Sequence, residues 1–233
     1  IIVEFFTVEE VENLPILNSC DNGVVDGDAV FDLNQQNENI LNQLSSDKFT
    51  ISYYEYELDA LNNTNQISNP SSYDNLDAFT QTIFVRITPN SFPDCYSFSS
   101  FTIETLDPPL VITPTPLEEC DDDYDGIVSY FDLETKTDEI LNGQTGVTVT
   151  YHETTTEAEN NINGITGLYT INSGDINNPD NQTLIVRLED DITGCFALTE
   201  LDLVVNPIPT ITSIPTLDLC DDDYDGIINI DLD

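Results

Sequence analysis

The chain has 233 residues, of which 45 are acidic and only four are lysine or arginine, so its formal net charge is −41 at pH 7. Binding to nucleic acid or to anionic lipid needs a basic surface, so this charge excludes nucleic acid as a partner and argues against docking on an anionic membrane. No apolar run approaches the length of about 18 residues that a membrane-spanning helix needs. The hydrophobic share of 39% still allows folded cores.

The positions of the cysteines indicate a chain built from repeats of about 100 residues. Cys20, Cys120 and Cys220 lie 100 residues apart, and the same interval separates Cys95 from Cys195. A fixed period of this kind is the sequence signature of tandem domains. We therefore predict the end of a preceding repeat at 1–7, repeat 1 at 8–107, repeat 2 at 108–207 and the start of a third repeat at 208–233, within a longer protein. Prolines at the boundaries predict short, semi-rigid linkers.

Within each repeat, apolar residues alternate with polar residues as they do in half-buried β-strands. The alternation occurs at residues 49–54, 83–87 and 101–103 of repeat 1 and at 147–152, 184–188 and 201–205 of repeat 2. Short helical segments are predicted at Asn34–Leu44, Leu133–Leu141 and Thr156–Ile162. The predicted fold class is mostly β, with tandem immunoglobulin-like β-sandwich repeats of about 100 residues and short helical insertions.

One strand of each repeat is predicted to contain a β-bulge. The apolar phase shifts between Phe98 and Phe101 in repeat 1 and between Leu198 and Leu201 in repeat 2. An extra residue in one strand of a pair produces such a shift. The order of the strands in the sheets does not follow from the sequence.

The segment Cys120–Ile127, with the sequence CDDDYDGI, is the most distinctive motif because it recurs unchanged at Cys220–Ile227. Its spacing resembles a calcium-binding loop, in which alternate side chains and one backbone carbonyl supply oxygen ligands to a hard cation. The preceding segment is extended and contains proline, so the loop lacks the incoming helix of an EF-hand. The predicted calcium ligands are Asp121, Asp123, Asp125, Ile127 and Asp132 in repeat 2, and Asp221, Asp223, Asp225, Ile227 and Asp231 in the third copy.

The first copy of this motif departs from the pattern, because Gly23, Val24 and Val25 interrupt its run of aspartates. Its candidate ligands are Asp21, Asp26, Asp28 and Asp32. We expect this loop to bind calcium more weakly or through different ligands. The alternative for every copy is an acidic turn that is simply solvated.

The recurring cysteines predict disulfides formed in an oxidising compartment. Two pairings of Cys20, Cys95, Cys120 and Cys195 fit the period. Cys20–Cys95 with Cys120–Cys195 keeps each bond inside one repeat and leaves Cys220 open. Cys95–Cys120 with Cys195–Cys220 links neighbouring repeats and leaves Cys20 open. The first pairing is preferred because a domain should carry its own disulfide. A zinc site is not favoured, since the chain has no Cys-x-x-Cys and a single histidine.

The basic residues and the histidine offer little to a catalytic site. Arg86 and Arg187 occupy equivalent strand positions and are predicted to form structural ion pairs, and His152 is predicted to be an exposed strand residue. Nucleophilic triads need a base, and the sequence contains no phosphate-binding or zinc-protease motif. A catalytic site is also seldom copied every 100 residues. The chain is therefore predicted not to be an enzyme.

The motif P-x(3–4)-C-D-D-D-x-D-G-x(3–4)-[FI]-D-L at Pro116–Leu133 and Pro215–Leu232 is followed by Val149–Tyr151, Val186–Leu188 and Thr193–Cys195. This pattern resembles the tandem extracellular repeats of very large surface proteins of the Bacteroidota, which often end in a type IX secretion sorting domain of the gliding-motility type. The resemblance covers both full repeats and the partial third copy. It implies secretion, a location at the cell surface, and adhesion or gliding as the biological setting.

These observations lead to one main interpretation and two alternatives. The main interpretation is a structural or adhesive stalk of disulfide-stapled domains ordered by Ca²⁺, with neighbouring repeats as partners and surface glycans or other cell-surface proteins as further candidates. The first alternative is a carbohydrate- or protein-binding module that uses exposed tyrosines such as Tyr54, Tyr56 and Tyr73. The second is an accessory region of a secreted multidomain enzyme.

Overall fold

The computed structural model describes residues 10–21, 25–44, 48–92, 94–121, 130–171 and 181–209, so the predicted segment 1–7 and most of 208–233 lie outside the described residues. Repeat 1 contains the strands β1 (Leu17–Cys20), β2 (Val30–Phe31), β3 (Phe49–Tyr54), β4 (Tyr73–Asp74), β5 (Thr80–Pro89) and β6 (Ser97–Leu106), and the helices α1 (Gln36–Leu41) and α2 (Glu57–Asn62). Repeat 2 contains β7 (Leu117–Cys120), β8 (Phe131–Asp132), β9 (Val147–His152), β10 (Leu168–Tyr169), β11 (Asn181–Asp190) and β12 (Phe196–Asn206), and the helices α3 (Thr137–Leu141) and α4 (Thr155–Asn160).

Each repeat consists of a four-stranded sheet and a two-stranded sheet. The strand order of the larger sheet is β1-β6-β5-β3 in repeat 1 and β7-β12-β11-β9 in repeat 2. The first strand of each repeat runs parallel to the last strand, and the other pairs are antiparallel. The predicted fold class is confirmed: two tandem, mostly β, sandwich-like domains with short helical insertions.

One face of each large sheet carries the core of its repeat. In repeat 1 the side chains of Ile83, Val85 and Phe101 point from β5 and β6 into a cluster that also contains Phe31 and Ile40. Equivalent residues of β11 and β12 form a separate cluster in repeat 2. Each fully buried side chain of this size contributes about 1.5–3 kcal/mol. Each repeat therefore has a hydrophobic core of its own.

The helices α1, α3 and α4 overlap the segments that the sequence predicts to be helical. A short 3₁₀ helix precedes α1 at Leu33–Gln35 and α3 at Leu133–Lys136. The carboxylates of Asp32 and Asp132 accept hydrogen bonds from the backbone N–H two residues later and cap these 3₁₀ helices. No helix in the described parts of the chain is long and apolar enough to cross a membrane.

The predicted β-bulges are wrong. Phe98 pairs with Arg86, Phe101 pairs with Ile83, and the residues between them pair one for one. The register of β11 and β12 is equally continuous. The phase shift has a different cause, because Phe98 and its counterpart Leu198 lie on the outer face of the sheet, opposite the core. Each of these strands is therefore apolar on its outer face near the beginning, at Phe98 or Leu198, and on its core face further along, from Phe101 or Leu201.

Candidate functional site

The two repeats are joined by a disulfide between Cys20 at the end of β1 and Cys195 in the hairpin that connects β11 to β12. The Cα atoms are 5.4 Å apart, a usual separation for a disulfide. Cys95 and Cys120 are free thiols in this structure. Both predicted pairings are therefore wrong. The first joined Cys20 to Cys95 and Cys120 to Cys195, and the second left Cys20 unbonded and joined Cys195 to Cys220.

The topology explains why a bond within one repeat does not form. Cys20 lies beside Leu106, at the last residue of β6, and the backbone N–H of Asp21 donates to the carbonyl oxygen of Leu106. Cys95 lies just before Ser97, at the first residue of β6. The length of a ten-residue strand, about 30 Å, separates the two positions. The end of β1 can instead meet the β11–β12 hairpin of the next repeat.

A network of short hydrogen bonds shapes the hairpin that presents Cys195. The carboxylate of Asp190 accepts hydrogen bonds from the backbone N–H groups of Ile192 (3.0 Å) and Thr193 (2.7 Å) and from the Thr193 hydroxyl (3.0 Å). These bonds favour the ionised carboxylate and lower the pKa of Asp190. Gly194 has a φ of +73°, which glycine adopts without strain. These hydrogen bonds and the turn at Gly194 hold the hairpin that carries Cys195.

An arginine on the outer face of repeat 2 holds α4 against the sheet next to this hairpin. Arg187 donates from Nη1 to the carbonyl oxygens of Ala158 (3.1 Å) and Glu159 (3.5 Å) in the last turn of α4. It also forms an ion pair with Glu189 at 2.8 Å. Its guanidinium stacks 3.5 Å from the ring centre of Phe196, the residue after Cys195. The predicted structural ion pair is confirmed for Arg187.

Arg86 plays the same part in repeat 1 without a carboxylate partner. Its Nη1 donates to the carbonyl oxygens of Ala60 (3.0 Å) and Leu61 (3.2 Å), and its guanidinium lies 3.4 Å from the ring centre of Tyr96. Among the residues that the structure describes, Arg86 forms no ion pair. A cation at the end of a helix satisfies carbonyl groups that have no partner within the helix. Among the described residues, capping of α2 takes the place of the ion pair predicted for Arg86.

The linker between the repeats is hydrogen-bonded to repeat 2. Leu110 exchanges two backbone hydrogen bonds with the side-chain amide of Gln144, both at 2.9 Å. The Thr115 backbone N–H donates to Glu139, and Lys136 donates to the Thr115 hydroxyl at 2.7 Å. These bonds and Lys136 lower the pKa of Glu139. The linker thus runs as an ordered part of repeat 2, and the two repeats are joined both by the linker and by the disulfide.

A groove of about 390 Å³ lies at the junction. Cys20 and Asp21 of repeat 1 line it together with repeat 2 residues that include Val111, Phe196 and Leu198. We call this the junction groove. It lies on the outer face of β12, at the apolar residue Leu198 that causes the phase shift in the sequence. That face therefore receives the end of β1 from the neighbouring repeat.

The first acidic loop closes on itself through Asp21. The buried carboxylate of Asp21 accepts hydrogen bonds from the backbone N–H groups of Asp26 (3.1 Å) and Gly27 (2.9 Å). Asp26 in turn accepts from the backbone N–H of Asp28, and Asp32 caps its 3₁₀ helix. The described residues contain no group of three acidic, cysteine or histidine side chains that could hold a metal ion. Calcium binding by the first loop stays a prediction.

The second and third acidic loops lie largely outside the described residues. Residues 122–129 and 210–233 contain most of their predicted ligands, among them Asp123, Asp125, Asp221, Asp223, Asp225 and Asp231. Of the second loop, buried Asp121 follows β7 and Asp132 caps a helix. The donor set of carboxylates and one carbonyl at this spacing is what Ca²⁺ prefers. Calcium binding by these two loops stays a prediction.

The tyrosines proposed as a ligand surface do not form one. Tyr54 is fully buried and donates to the side-chain oxygen of Asn63 at 2.6 Å. Tyr73 is also buried, and burial raises its pKa to about 12. Tyr56 alone of the three is exposed. His152, the counterpart of Tyr54, is fully buried as well, and bonds the Ile162 carbonyl oxygen through Nδ1 at 2.9 Å, so its predicted exposure is wrong.

The fold and the junction together define a class of protein: tandem β-sandwich-like repeats in which a disulfide crosses the boundary between consecutive domains. The chain belongs to the Flavobacterium inter-domain disulphide bond domain family, whose model matches residues 16–109 and 116–209. The description of this family agrees with the bond between Cys20 and Cys195. No curated protein matches the chain.

Several solved structures are similar in fold to this chain at low sequence identity. A human mucin-like protocadherin fragment is 13% identical, with a TM-score of 0.27, and the match covers 70% of this chain and 86% of that one. A three-domain fragment of titin is 9% identical, with a TM-score of 0.24 and coverage of 86% and 64%. A SusE-like surface-located polysaccharide-binding protein from Bacteroides thetaiotaomicron is 10% identical, with a TM-score of 0.31 and coverage of 87% and 35%.

Sequence reasoning missed several residues of the junction. The sequence indicated no role for Val111, Phe196 or Asp190, and its apolar pattern at Leu198 was explained by a β-bulge. The phase shift at Leu198 was the available signal, since it marks an apolar residue on the face opposite the core. The recurrence of an arginine beside it was the second signal.

Proposed function

We propose that this chain is a segment of a secreted, cell-surface stalk with a structural or adhesive role, in which Ca²⁺ orders the second and third acidic loops. The observation that carries the proposal is the disulfide between Cys20 and Cys195, which links one repeat to the next instead of stabilising a single domain. Disulfides of this kind form and persist in oxidising, extracellular compartments. The linker supports the stalk function as well, because its hydrogen bonds to repeat 2 restrict the movement of one repeat relative to the other.

The resemblance of the sequence to surface repeats of the Bacteroidota favours type IX secretion, with adhesion or gliding as the setting. The family to which the chain belongs supports a flavobacterial source and a role for neighbouring repeats as partners. A stalk does not need a catalytic centre, and we propose no enzymatic activity for this segment. Surface glycans and other cell-surface proteins remain candidate ligands of the complete protein.

Calcium would act on this chain through the residues that follow β7. Asp121, Asp123, Asp125, the carbonyl of Ile127 and Asp132 would hold the ion, with the equivalent residues in the third copy. Calcium would supply the positive charge that the acidic loops need in order to come together. In the first loop the Asp21 carboxylate accepts hydrogen bonds from the backbone N–H groups of Asp26 and Gly27, so we expect weaker calcium binding there than in the other two loops.

A calcium titration of the full chain tests this function. Extracellular calcium sites bind at about 10⁻⁴–10⁻³ M, so 10 mM Ca²⁺ should raise the unfolding free energy by about 1.4 kcal/mol for each site with a dissociation constant near 1 mM. The double variant Asp123→Asn/Asp125→Asn should lose this gain for the second loop. The variant Asp138→Asn, at an exposed position on α3, should keep it.

Two results separate the parts of the proposal. An unchanged melting temperature at 10 mM Ca²⁺ would contradict calcium binding but would not contradict the stalk function. Small-angle scattering tests the stalk, since the oxidised chain should be rod-like and the variant Cys20→Ser should sample bent arrangements at the linker. A compact or bent envelope for the oxidised chain would contradict it.

A further inference from the structure

A polar groove of about 390 Å³ lies on repeat 1, just after the end of β3. We call it the loop groove. Its volume is near the lower end of the range of about 300–1,000 Å³ that ligand pockets occupy. Most of its lining side chains carry amide, hydroxyl or carboxylate groups, among them Glu55, Asn65, Gln66, Asn69, Ser72 and Tyr73.

The loop that forms one wall of this groove is longer in repeat 1 than in repeat 2. Ile67 of repeat 1 and Ile165 of repeat 2 each donate a backbone hydrogen bond to the equivalent tyrosine of the edge strand. Tyr73 and Tyr169 each pair with the short strand that precedes the first helix of their repeat. Five residues connect these two points in repeat 1, and three connect them in repeat 2. This wall of the groove therefore has no full counterpart in repeat 2.

Polar groups in the loop groove lack a partner that their counterparts have in repeat 2. The hydroxyl of Tyr169 donates to the carboxylate of Glu153 at 3.0 Å. In repeat 1 the hydroxyl of buried Tyr73 accepts from Gln81 at 2.8 Å. Within the described residues, neither Glu55 nor any other group accepts the proton of that hydroxyl. Tyr73 and Glu55 therefore keep a donor and an acceptor that a ligand in the groove can use.

An exposed tyrosine lies at the rim of the loop groove. Tyr56 follows the groove residue Glu55 in the chain, and 60% of its surface is exposed. Burial is the main cause of the raised pKa of the groove residue Tyr73, and Glu55 and Tyr56 lie near enough to raise it further. Tyr56 thus offers an aromatic ring beside the polar groups of the groove.

Tyr56 also occupies a position where the fold favours a different residue. It is the N-cap of α2 and makes no side-chain hydrogen bond to the helix, whereas its counterpart Thr154 caps α4 through its hydroxyl at 3.3 Å. Serine, threonine, aspartate and asparagine are the preferred N-caps. A residue that departs from such a local rule is expected at a functional site. The exposed ring of Tyr56 is therefore better explained by binding than by folding.

The loop groove is separate from the surface through which consecutive repeats meet. Repeat 2 contributes no described residue to its lining. The disulfide and the junction groove use Cys195, Glu159 and the beginning of β12 on repeat 2. The positions of repeat 2 that correspond to the loop groove, Glu153 and residues 163–169, are not among the residues that line the junction groove. A repeat that meets repeat 1 in the same way therefore leaves the loop groove open.

The composition of the groove favours a neutral ligand with many hydroxyl groups. No lysine or arginine is among its described lining residues, and Glu55 and Asp74 would repel an anion. Hydroxyl groups both donate and accept hydrogen bonds, which suits carboxylate and amide side chains. The side chains of Gln66 and Ser72 have no hydrogen-bond partner in the part of the chain that the structure describes, so both can bind such groups. The apolar face of a sugar ring packs on an aromatic ring such as that of Tyr56.

We propose that the loop groove binds a neutral glycan, whose sugar ring stacks on Tyr56 while Glu55 and Gln66 bind its hydroxyl groups. The inference rests on the adhesive role proposed above and gives that role a ligand. It depends on neither calcium nor the disulfide, because the residues that it uses belong to repeat 1 and lie outside the acidic loops. Repeat 1 thus carries a binding surface where repeat 2 carries a hydrogen bond between Tyr169 and Glu153.

The test titrates the full chain with oligosaccharides in EDTA and follows the side-chain amide resonances of Gln66 and Asn69 by NMR. The neutral probes are maltohexaose, cellohexaose, mannohexaose and chitohexaose. Hexagalacturonate serves as the anionic comparison and hexalysine as the cationic one. At physiological salt, at least one neutral probe should shift these resonances, and neither charged probe should do so.

The variant Tyr56→Thr separates binding from folding, because it places the capping residue of repeat 2 at the start of α2. It should weaken binding of that neutral probe about tenfold, as the loss of a central aromatic contact does, without lowering the melting temperature. Gln66→Ala should weaken binding about fivefold through the loss of a hydrogen bond. Tyr130→Thr, at an exposed tyrosine of repeat 2, should leave the affinity unchanged.

Three outcomes would each overturn the glycan site. They are no shift with any neutral probe at its highest soluble concentration, an unchanged affinity in Tyr56→Thr, and binding of hexalysine through the same resonances. None of these outcomes touches the stalk function, which the scattering of the oxidised chain tests separately. A bent scattering envelope together with glycan binding that Tyr56→Thr weakens would contradict the stalk and keep the site.

Discussion

Repeats 1 and 2 share one strand order, but different side-chain interactions bind the segment that leads into each domain. In repeat 1, Gln36 donates to the carbonyl oxygen of Pro15 at 2.8 Å and accepts from Asn39 at 3.0 Å. In repeat 2 the residues 100 positions later are Lys136, Thr115 and Glu139, and they form an ion pair and its hydrogen bonds.

The same contrast recurs beside the junction. Arg86 caps α2 without a carboxylate, whereas Arg187 caps α4 and pairs with Glu189. On the outer face, Tyr54 of repeat 1 is replaced by His152 in repeat 2, and both side chains are buried. The backbone geometry is thus retained while the charges change. Both repeats bind the carbonyl groups at the end of the helix on the outer face and bind the segment that leads into the domain. The side chains that make these contacts differ between the repeats.

The largest expected effect comes from breaking the disulfide between Cys20 and Cys195, since the equivalent Cys120 of repeat 2 is a free thiol. Cys20→Ser should lower stability by up to about 5 kcal/mol in the chain-entropy model, because the bond closes a loop of 175 residues. Limited proteolysis should then cut within the linker at 107–116. Cys120→Ser, the same substitution one repeat later, should change neither the melting curve nor the cleavage pattern. Equal behaviour of the two variants would contradict the assigned pairing.

The next effect comes from the buried arginines. Arg86→Met and Arg187→Met should each destabilise their own repeat by about 3 kcal/mol, because each leaves helix carbonyl groups without partners. Urea unfolding of the two variants measures this. Glu189→Gln makes repeat 2 resemble repeat 1 and should cost less than about 1 kcal/mol, as expected for a partly exposed ion pair. If Glu189→Gln costs as much as Arg187→Met, the ion pair and not the helix cap holds α4.

A smaller effect distinguishes the first acidic loop. Gly27 has a φ of +85°, and a Cβ there would lie 2.6 Å from the backbone nitrogen of Phe79. Gly27→Ala should therefore cost about 2–3 kcal/mol, from strain and overlap together. The matched control is Gly143→Ala in repeat 2, where φ is +81° and no atom lies within 4 Å, so strain alone should cost about 1 kcal/mol. Thermal melting should rank the two in this order.

The smallest effect is a pH dependence confined to repeat 2. The backbone N–H of Thr115 and the charge of Lys136 hold the pKa of Glu139 below its ordinary value of 4.5. A lowered pKa means that the stabilisation is present above pH 4.5 and disappears as the pH falls through the lowered pKa of the folded state. The amide resonance of Thr115 should follow this titration by NMR. Glu139→Gln should abolish the shift, and the amide of Leu110, bound to uncharged Gln144, should not follow it.

Much of the fold could be predicted from the sequence, because the alternation of apolar residues on β3, β5, β9 and β11 reports directly on one buried face. The disulfide could not, because pairing depends on which strand ends meet. Cys20 and Cys95 share a repeat, but β6 keeps them a strand length apart. The shift in apolar phase at Phe98 predicted a bulge, but the register is continuous. An apolar residue on the outer face produces the same pattern in a sequence as a bulge does.

The acidic motif was the clearest signal in the sequence, and its first copy shows a second role that such a carboxylate can have. The loss of acids at Gly23 and Val25 removes ligands, while Asp21 stays and binds backbone N–H groups. A carboxylate that closes a turn and one that binds a cation look alike in a sequence. The difference lies in the partners that the folded backbone supplies.

The disulfide between Cys20 and Cys195 also determines how the chain responds to tension. A pull applied before Cys20 and after Cys195 passes directly through the two sulfur atoms, so the backbone between them carries almost none of it. Unfolding of that backbone would otherwise release about 600 Å of length, since an extended chain spans at most about 3.5 Å for each residue. Cys120 lies inside this loop, and a bond from it to the next domain would make consecutive loops overlap. Such a fibre would resist extension until its disulfides were reduced, and would then lengthen abruptly.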